Sequence, residues 1–298
     1  MTTKPGDVPQ QVVEIWATQF QSEYREKHVL ANLTDMSYQA SFNQSNDTAK
    51  ISQYNAGDGE DLAIDVDSPQ NDTACEFNPS PILTQQVELK INRRAVSSRE
   101  FCDLTSLLSQ VKPEDMALRA TMGFEVSKVI NKRLYSTVSA TSNTGSTASI
   151  SATTLSALAK QADGLFWPEQ DRWLLLDSEY YEDLLNATTL VDVSATGSGD
   201  RPTIAGQFVQ QRFGWNIVKD TSVDMKAQLN GGTAGVALAM TREHLLWASP
   251  FGDAMSRIQI SNQHANRKFG FVMSIDQPFG VALGNDGAAK AIIIRSGS

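Results

Sequence analysis

The longest helical pattern in the sequence runs from Pro113 to about Val138, and it constrains the fold more than any other stretch. Proline suits the first helical position, where its missing N–H leaves no bond unmade. At 100° per residue the apolar side chains gather on one side of this helix, and the opposite, polar face carries Glu125, Lys128 and Lys132. About 26 residues at a rise of 1.5 Å predict a rod of roughly 39 Å, which would cross a whole domain. On its own the pattern also fits one long core helix of an ordinary enzyme.

The composition is that of a folded soluble protein. The chain has 298 residues, of which 41% are hydrophobic and 20% charged, enough for one large or two ordinary domains. A formal net charge of −9 argues against a chain whose main role is to grip nucleic acid over its surface, although it allows a locally basic face. No apolar run is long enough to span a membrane, and the polar N-terminus lacks the apolar segment of a secretory signal. We therefore expect a soluble protein made in a cytoplasm.

No catalytic or metal-binding constellation is marked in the sequence. Cys75 and Cys102 form no CxxC pair and have no histidine cluster beside them, so we expect two reduced thiols. The nucleophile elbow, the phosphate-binding loop and the zinc-protease motif are all missing. His28, His244 and His264 are far apart in sequence; a triad assembled in space stays an alternative, with a structural role favoured for His244. We expect no catalytic residue, no cofactor and no metal.

Two segments ahead of the long helix are predicted to extend from the body of the protein. Gln11 to Leu33 has apolar residues at mostly helical spacing, and its stripe, which includes Trp16 and Phe20, needs a partner in this chain or in a neighbouring copy. Ser37 to Pro81 combines short β-type runs with turn-rich clusters, and its apolar residues are too few to form a compact unit. We expect an extended β-excursion there. A disordered acidic loop is the alternative.

Charge is distributed unevenly along this part of the chain. The stretch from Ala56 to Glu76 holds seven acidic residues and no basic one. Four of these acidic residues are candidate contacts: Asp58, Glu60, Asp61 and Asp65. A half-buried strand is predicted from Leu83 to Asn92, because its apolar and polar residues alternate, and Arg93 and Arg94 follow it at once. The acidic and basic groups could pair within one chain or between copies.

Around and after the long helix, short strands and helices are mixed. Ser97 or Ser98 is expected to cap a short helix through Leu108, ahead of the long helix, and residues 137–154 are expected to form a loop. The later predicted elements are a helix at Leu155–Leu165, a strand at Arg172–Leu176, a helix capped by Asp177 or Ser178, a turn and strand within Ile204–Val218, a strand at Val236–Met240, a turn capped by Thr241, and strands at Phe271–Ile275, Gly280–Leu283 and Ala288–Arg295. No regular βαβ repeat appears, so the predicted class is α+β.

Six segments in order carry a family resemblance. They are the opening helix Val8–Leu33, the excursion Ala49–Pro81, the strand Leu83–Leu89, the helix from Pro113, the strand-and-helix unit Asp171–Tyr181, and the glycine-turn strand comprising Ile204–Gly206 and Phe213–Val218. Their order and spacing resemble the major capsid proteins of tailed bacteriophages that adopt the Hong Kong 97-like fold. In that family the corresponding parts are the N-terminal arm, the E-loop, the strand returning from it, the spine helix and the axial domain.

The resemblance implies an α+β capsid fold with five parts. They are an N-terminal arm (1–36), an extended β-loop (37–82), a peripheral domain with the spine helix (83–140), an axial domain (141–270) and strands that return to the peripheral domain (271–298). It implies a structural protein, not an enzyme, that assembles into pentamers and hexamers as an icosahedral head around double-stranded DNA. The implied location is the virion, after assembly in the bacterial host cytoplasm.

The partners implied are copies of the same chain, portal and scaffolding or cement proteins, and packaged DNA held by weak, non-specific contact; no membrane is implied. The candidate contacts between subunits are Trp16, Phe20, Asp58, Glu60, Asp61, Asp65, Arg93 and Arg94, and the polar face of the spine helix with Glu125, Lys128 and Lys132 is a further candidate. Two alternatives stay open: an encapsulin-like nanocompartment shell of the same fold, and an α+β hydrolase.

Overall fold

The structure is a computed structural model. It describes residues 28–38, 42, 48–54, 84–102, 116–140, 144–186, 210–232, 235–250, 257–262, 270–284 and 291–296. In chain order the elements are β1 (Thr48–Tyr54), β2 (Thr84–Lys90), β3 (Arg93–Cys102), α1 (Met116–Val138), β4 (Thr144–Ser146), α2 (Ala152–Gly164), β5 (Arg172–Leu176), α3 (Ser178–Asn186), β6 (Gln210–Arg212), β7 (Trp215–Lys219), α4 (Val223–Asn230), β8 (Val236–Thr241), β9 (Leu245–Ala248), β10 (Arg257–Asn262), β11 (Gly270–Leu283) and β12 (Ala291–Arg295). Two short 3₁₀ turns occupy Leu30–Leu33 and Arg242–His244. None of the described helices is long and apolar enough to cross a membrane.

The predicted long helix is confirmed as α1. It has 23 residues, which corresponds to about 34 Å. It ends at Val138 as expected, and the predicted first residues, 113–115, lie outside the described part of the chain. Its apolar stripe is buried along most of its length, at Met122, Val126, Ile130 and Leu134.

A six-stranded sheet lies between two hydrophobic clusters, with the strand order β4-β12-β8-β5-β7-β6. The side chains of β8 alternate between the two. Val236 and Leu238 belong to the cluster that contains α1 and α4, whereas Ala237 and Ala239 belong to the one that contains α2 and α3. Because both faces of the sheet are covered, all six residues of β8 are buried, and its sequence is a continuous run without polar alternation.

A second sheet is built on β11, in the order β10-β11-β3, with β9 pairing to the far end of β11. Two separate strands had been predicted, Phe271–Ile275 and Gly280–Leu283, but β11 runs unbroken through both. Pro278 does not interrupt it because pairing with β10 has already ended at Asp276. The missing N–H therefore falls where only one described neighbour, β3, continues the ladder.

The short helix predicted from Ser97 or Ser98 is wrong over its described part, because that part belongs to β3. Ala95 and Ser97 are buried, while Val96 and Ser98 are exposed, which is the two-residue alternation of a strand. A serine before an acidic residue is a local cap signal. The partner that makes this segment a strand, β11, lies near the other end of the chain and outweighs that signal. The rest of the predicted helix, through Leu108, is outside the described residues.

Several smaller elements agree with the sequence patterns. Strand β5 lies where it was expected, whereas α2 begins at Ala152, three residues before the predicted start and within the stretch 137–154 that was predicted to be a loop. Asp177 caps α3, since the backbone N–H of Tyr180 donates to its Oδ1 at 2.9 Å. The 3₁₀ turn after β8 is also where it was predicted, but Thr241 makes no side-chain capping bond to it. Five elements had not been predicted: β4, β6, α4, β9 and β10.

The described strands among the last 28 residues, which were predicted to return to the peripheral domain, lie in two different sheets. β11 packs beside α1 in the second sheet, whereas β12 pairs with β8 and β4 in the six-stranded sheet. The final strand therefore completes the sheet that contains most of the predicted axial domain. The domain boundaries themselves stay a prediction.

A buried polar pair ties α1 to the segment that leads into α4. The hydroxyl of Tyr135 donates to Oδ2 of Asp220, and the backbone N–H of Ser222 donates to Oδ1 at 2.7 Å. Burial, with the adjacent carboxylate, raises the pKa of Tyr135 well above its ordinary 10.0. Burial also raises the pKa of Asp220 above 3.8, against the lowering effect of its hydrogen bonds.

Replacing Asp220 with asparagine should make stability less dependent on pH. An acid whose folded-state pKa is raised contributes stability that is fully present below the unfolded pKa and is lost as pH rises through the folded one. Asparagine does not titrate, so the variant should lose less stability than the wild type as pH rises above 3.8. Thermal unfolding midpoints over a pH series measure this, with the exposed Glu182→Gln as control. Parallel curves for wild type and Asp220→Asn would contradict the assignment.

β11 changes partner at Gly280, from β3 to β9, and the end of β2 crosses it there. A Cβ on Gly280 would come closer than 3.0 Å to the carbonyl oxygen of Lys90. A Cβ on Gly284 would come even closer to the carbonyl oxygen of Glu243. These glycines are required by close approach of backbone to backbone.

We expect Gly280→Ala to destabilise the fold, by roughly 1–3 kcal/mol, because the carbonyl it meets belongs to a strand and cannot swing aside. Gly123→Ala in α1 is the matched control. A Cβ there meets nothing within 4 Å, and alanine favours a helix over glycine by about 1 kcal/mol, so stability should hold or rise. Urea titration of both variants measures the difference, and equal free energies of unfolding would refute the crossing argument.

Candidate assembly surfaces

The two strands that flank the predicted β-excursion pair with each other as an antiparallel ribbon. β1 and β2 pair in register from Thr48 opposite Lys90 to Tyr54 opposite Thr84. This confirms the two flanking strands expected from the sequence. The stretch between them, residues 55–83, lies outside the described residues, and so do the acidic candidates Asp58, Glu60, Asp61 and Asp65.

The base of this ribbon is anchored to the body by a small hydrophobic cluster. Its buried members are Phe42, Ile51, Leu89, Leu246 and Ala248, drawn from the ribbon, from β9 and from the segment before β1. The other face of the ribbon is polar: Glu88 pairs with Lys90 at 2.7 Å and with Lys50 at 3.9 Å. The hydrogen bond from Lys90, followed by the charges of both lysines, lowers the pKa of Glu88 below 4.5. These exposed pairs stabilise little, so the apolar base fixes the direction in which the ribbon leaves.

Arg93 and Arg94, the basic pair predicted at the start of β3, are placed differently. Arg94 donates from Nε, at 2.7 Å, and from Nη2 to one carboxylate oxygen of Asp276, whose side chain is only 4% exposed. Removing Arg94 would leave that buried carboxylate without its counter-ion. Arg93 is exposed and makes no ion pair with another described residue. Of the two, Arg93 is therefore the one available to a second chain.

The polar face predicted on α1 is present. Lys128 and Lys132 are exposed, and Glu125 is half-buried. Glu125 forms an ion pair with Arg99 of β3 and accepts a hydrogen bond from the hydroxyl of Ser97 at 2.5 Å. The acidic residue of this face therefore binds partners within its own chain. Together α1 and β3 carry seven basic side chains and two acidic ones. In a chain of net charge −9 this is a locally basic region.

The described end of the N-terminal segment lies on α1. The ring of His28 stacks on Phe124 at 5.0 Å, and its Nδ1 is 3.0 Å from the hydroxyl oxygen of Ser127. The next apolar residues, Val29, Leu30 and Leu33, are buried in the cluster that contains α1. Helix had been predicted through Leu33; the described end has two non-helical residues and then a 3₁₀ turn. Trp16 and Phe20 lie outside the described residues.

The histidines and cysteines do not form a site in the described part of the chain. His244 is completely buried in the second 3₁₀ turn, where its own carbonyl accepts the N–H of Gly284 at 2.7 Å. His264 and Cys75 are outside the described residues. Within the described ranges no group of histidine, cysteine, aspartate and glutamate could hold a metal ion. A wholly buried imidazole also has no route to a substrate.

Sequence reasoning missed two exposed phenylalanines. Phe166, in the loop between α2 and β5, is 94% exposed, and Phe213, in the turn between β6 and β7, is 48% exposed. Both have a positive backbone φ, 55° and 50°, which residues other than glycine and asparagine rarely adopt. The only available signal was an aromatic pair, Phe166 and Trp167, directly before a proline and outside any periodic run.

Sequence comparison finds no relative: no protein-family model matches the chain, and neither does any curated protein. Solved structures do match. A structure of Mycobacterium phage Che8 matches with a TM-score of 0.68 at 15% identity, covering 94% of this chain and 96% of that one. The capsid of cyanophage P-SCSP1u matches with a TM-score of 0.66 at 15% identity, covering 97% and 94%. The head of Helicobacter pylori bacteriophage KHP40 matches with a TM-score of 0.67 at 11% identity, covering 99% and 98%.

At these identities the likeness establishes the fold, and it extends over nearly the whole of both chains in each pair. The long helix, the two-stranded ribbon and the six-stranded sheet are thus parts of one known fold. The chain has the α+β, Hong Kong 97-like fold of tailed-phage capsid proteins, as the order of its sequence segments implied.

Proposed function

We propose that this chain is the major capsid protein of a tailed bacteriophage, which self-assembles into pentamers and hexamers that form an icosahedral head around double-stranded DNA. The observation that carries the proposal is the two-way coverage, 94% or more of each chain in the matches to two phage capsids or heads. The protein would act in the virion after assembly in the bacterial host cytoplasm, and it would be a structural protein without catalysis.

The described contacts support a subunit with a firm body and two extensions. The ribbon is fixed at its base by buried apolar contacts, and the N-terminal segment is fixed where it meets α1. Whatever lies beyond those anchors starts from a defined position. We propose that the acidic stretch carried between β1 and β2 contacts a neighbouring subunit through Asp58, Glu60, Asp61 and Asp65, and that the amphipathic arm does so through Trp16 and Phe20.

The basic region suits weak contact with a polyanion. Lys128 and Lys132 are exposed on α1, while the single acidic residue of that face is paired with β3. A few lysines in a chain of net charge −9 give a modest attraction to packaged DNA, and that attraction should fall as salt rises. Portal and scaffolding or cement proteins complete the set of partners that the proposal requires.

The two alternatives have less support. An encapsulin-like shell shares the fold, but the structures named above come from phages. A hydrolase needs a histidine that can reach its substrate, and His244 is fully buried. The other described histidine, His28, stacks its ring on Phe124 and places one imidazole nitrogen within hydrogen-bond distance of the Ser127 hydroxyl, so its described contacts are with α1.

Negative-stain electron microscopy of the purified chain, expressed with and without the genes beside its own, tests the proposal. We expect closed shells some tens of nanometres across in at least one preparation. Particles that enclose an enzyme encoded next to this chain would favour the nanocompartment. Only monomers at every salt concentration, together with a hydrolytic activity abolished by His244→Ala, would overturn the capsid assignment in favour of the hydrolase.

Charge reversal at the two arginines should separate folding from assembly. Arg94→Glu places a negative charge beside the buried Asp276 carboxylate and should cost about 1–3 kcal/mol of stability, since only one of the two partners is buried. Arg93→Glu, at the exposed neighbour, should leave the unfolding free energy within about 0.5 kcal/mol but reduce the yield of particles. Urea titration and particle counts on both variants make the comparison. Normal particle yield from Arg93→Glu would remove Arg93 from the subunit contact.

A further inference from the structure

One short run of chain lies between the places where the two extensions begin. It comprises residues 28–38 and Phe42, and we call it the strap. Its first residue, His28, is where the N-terminal segment meets α1. Its last residue, Phe42, belongs to the cluster that anchors the base of the β1–β2 ribbon. The start of one extension and the base of the other are therefore joined by the same short stretch of chain.

The α1 end of the strap is held by stacking and by apolar burial. The His28 ring stacks on Phe124, with centroids 5.0 Å and planes 11° apart, and its Nδ1 lies 3.0 Å from the hydroxyl oxygen of Ser127. Leu30 and Leu33 follow in the first 3₁₀ turn and are buried in the cluster that contains α1. These contacts fix the position of the turn on α1.

In its middle the strap pairs with β9. The backbone N–H of Asp35 donates to the carbonyl oxygen of Leu245 at 2.9 Å, and the N–H of Trp247 donates to the carbonyl oxygen of Asp35 at 3.2 Å. Asp35 thereby forms a parallel β-bridge with Leu246. Because these bonds join backbone to backbone, the turn on α1 cannot shift without moving β9 or breaking them.

Strand β9 contributes to two hydrophobic clusters at once. Leu245 and Trp247 belong to the cluster that contains α1, whereas Leu246 and Ala248 belong to the cluster at the base of the ribbon. All four residues are buried. Close-packed interiors transmit strain because they contain few voids into which a side chain could relax. A displacement of β9 therefore changes the packing in both clusters.

We infer that the strap couples the two extensions: an N-terminal segment held on α1 stabilises the base of the ribbon, and a loosened one destabilises it. Such coupling is reciprocal, so a change at the ribbon base acts back on the strap with the same free energy. The coupling belongs to a single chain and does not require assembly. In a shell, which is the proposed function, a neighbour that binds one extension would thereby stabilise the base of the other.

Hydrogen exchange of the full-length wild type and His28→Ala, followed by mass spectrometry, tests the first direction. Alanine removes the stacking on Phe124 and the contact with Ser127, and His28 is only half-buried, so the fold should survive. We expect the amides of β1 and β2 to exchange at least about twofold faster, while those of β5 and β8 keep their rates. Unchanged rates in β1 and β2 would overturn the inference. Ser136→Ala, at a half-buried serine further along α1, is the matched control and should leave the ribbon at wild-type rates.

Ile51→Val tests the reverse direction. Ile51 is buried at the ribbon base, and the loss of one methyl group loosens that cluster without adding a charge. Reciprocity predicts that amides within 28–38 exchange at least about twofold faster, again with β5 and β8 unaffected. Faster exchange confined to the ribbon, with the strap at wild-type rates, would contradict the coupling.

Releasing the strap from β9 tests the route. Asp35→Pro removes the N–H that donates to Leu245, and in that background the response of β1 and β2 to His28→Ala should disappear. If the proline variant does not fold, Thr34→Val replaces it. That change removes the hydroxyl that donates to the carbonyl oxygen of Ala31 at 2.7 Å, so it loosens the turn between α1 and β9, and the response should fall. An undiminished response would assign the coupling to another route and overturn the role of the strap.

The coupling and the capsid proposal fail separately. Closed shells from a chain whose ribbon does not respond to His28→Ala refute the coupling and leave the capsid proposal intact. A chain that never assembles, but whose ribbon and strap respond as predicted, supports the coupling and refutes the shell.

Discussion

The rest of the structure depends on the burial of one apolar stripe, on α1, against two sheets at once. Val126, Ile130 and Leu134 share a hydrophobic cluster with β8 and β12 of one sheet and with β11 of the other. Burying a side chain of this size stabilises by about 1.5–3 kcal/mol, and the contribution accumulates along a helix of about 34 Å. Because both sheets meet the same helix, neither can shift without exposing part of the stripe. Apolar packing alone is non-directional. The ion pair of Glu125 with Arg99 and the buried hydrogen bond between Tyr135 and Asp220 add contacts that require one orientation of α1.

That frame determines where the extensions begin. The ribbon β1–β2 is pressed onto β9 and β11, and the close crossing at Gly280 leaves no space for a different path. The N-terminal segment is held where His28 meets Phe124. A shell protein needs this combination: the body must keep its shape so that many copies meet at the same angles, and contacts with neighbours must come from parts that project.

Sequence patterns predicted the elements whose signals are local. The amphipathic period gave α1, the apolar run gave β5, and alternation gave β2. They were wrong where a distant strand decides the outcome: the residues of β3 were predicted to begin a capped helix, and β11 was predicted as two separate strands. Of the candidate contacts, the ion pair that distinguishes Arg94 from Arg93 could not be predicted, since its partner Asp276 lies on a distant strand, β11. The exposure of Phe166 could not be predicted either, because an aromatic residue beside a tryptophan is ordinarily buried.

Cryo-electron microscopy of assembled particles, at a resolution that traces the chain, tests the central claim most directly. The account predicts five- and six-membered rings of one repeated body, in which α1 and both sheets keep the described arrangement and the β1–β2 ribbon lies over an adjacent copy. Variation among copies should be confined to the extensions. A particle in which the ribbon folds back on its own subunit, or in which α1 separates from either sheet between one copy and the next, would contradict the account.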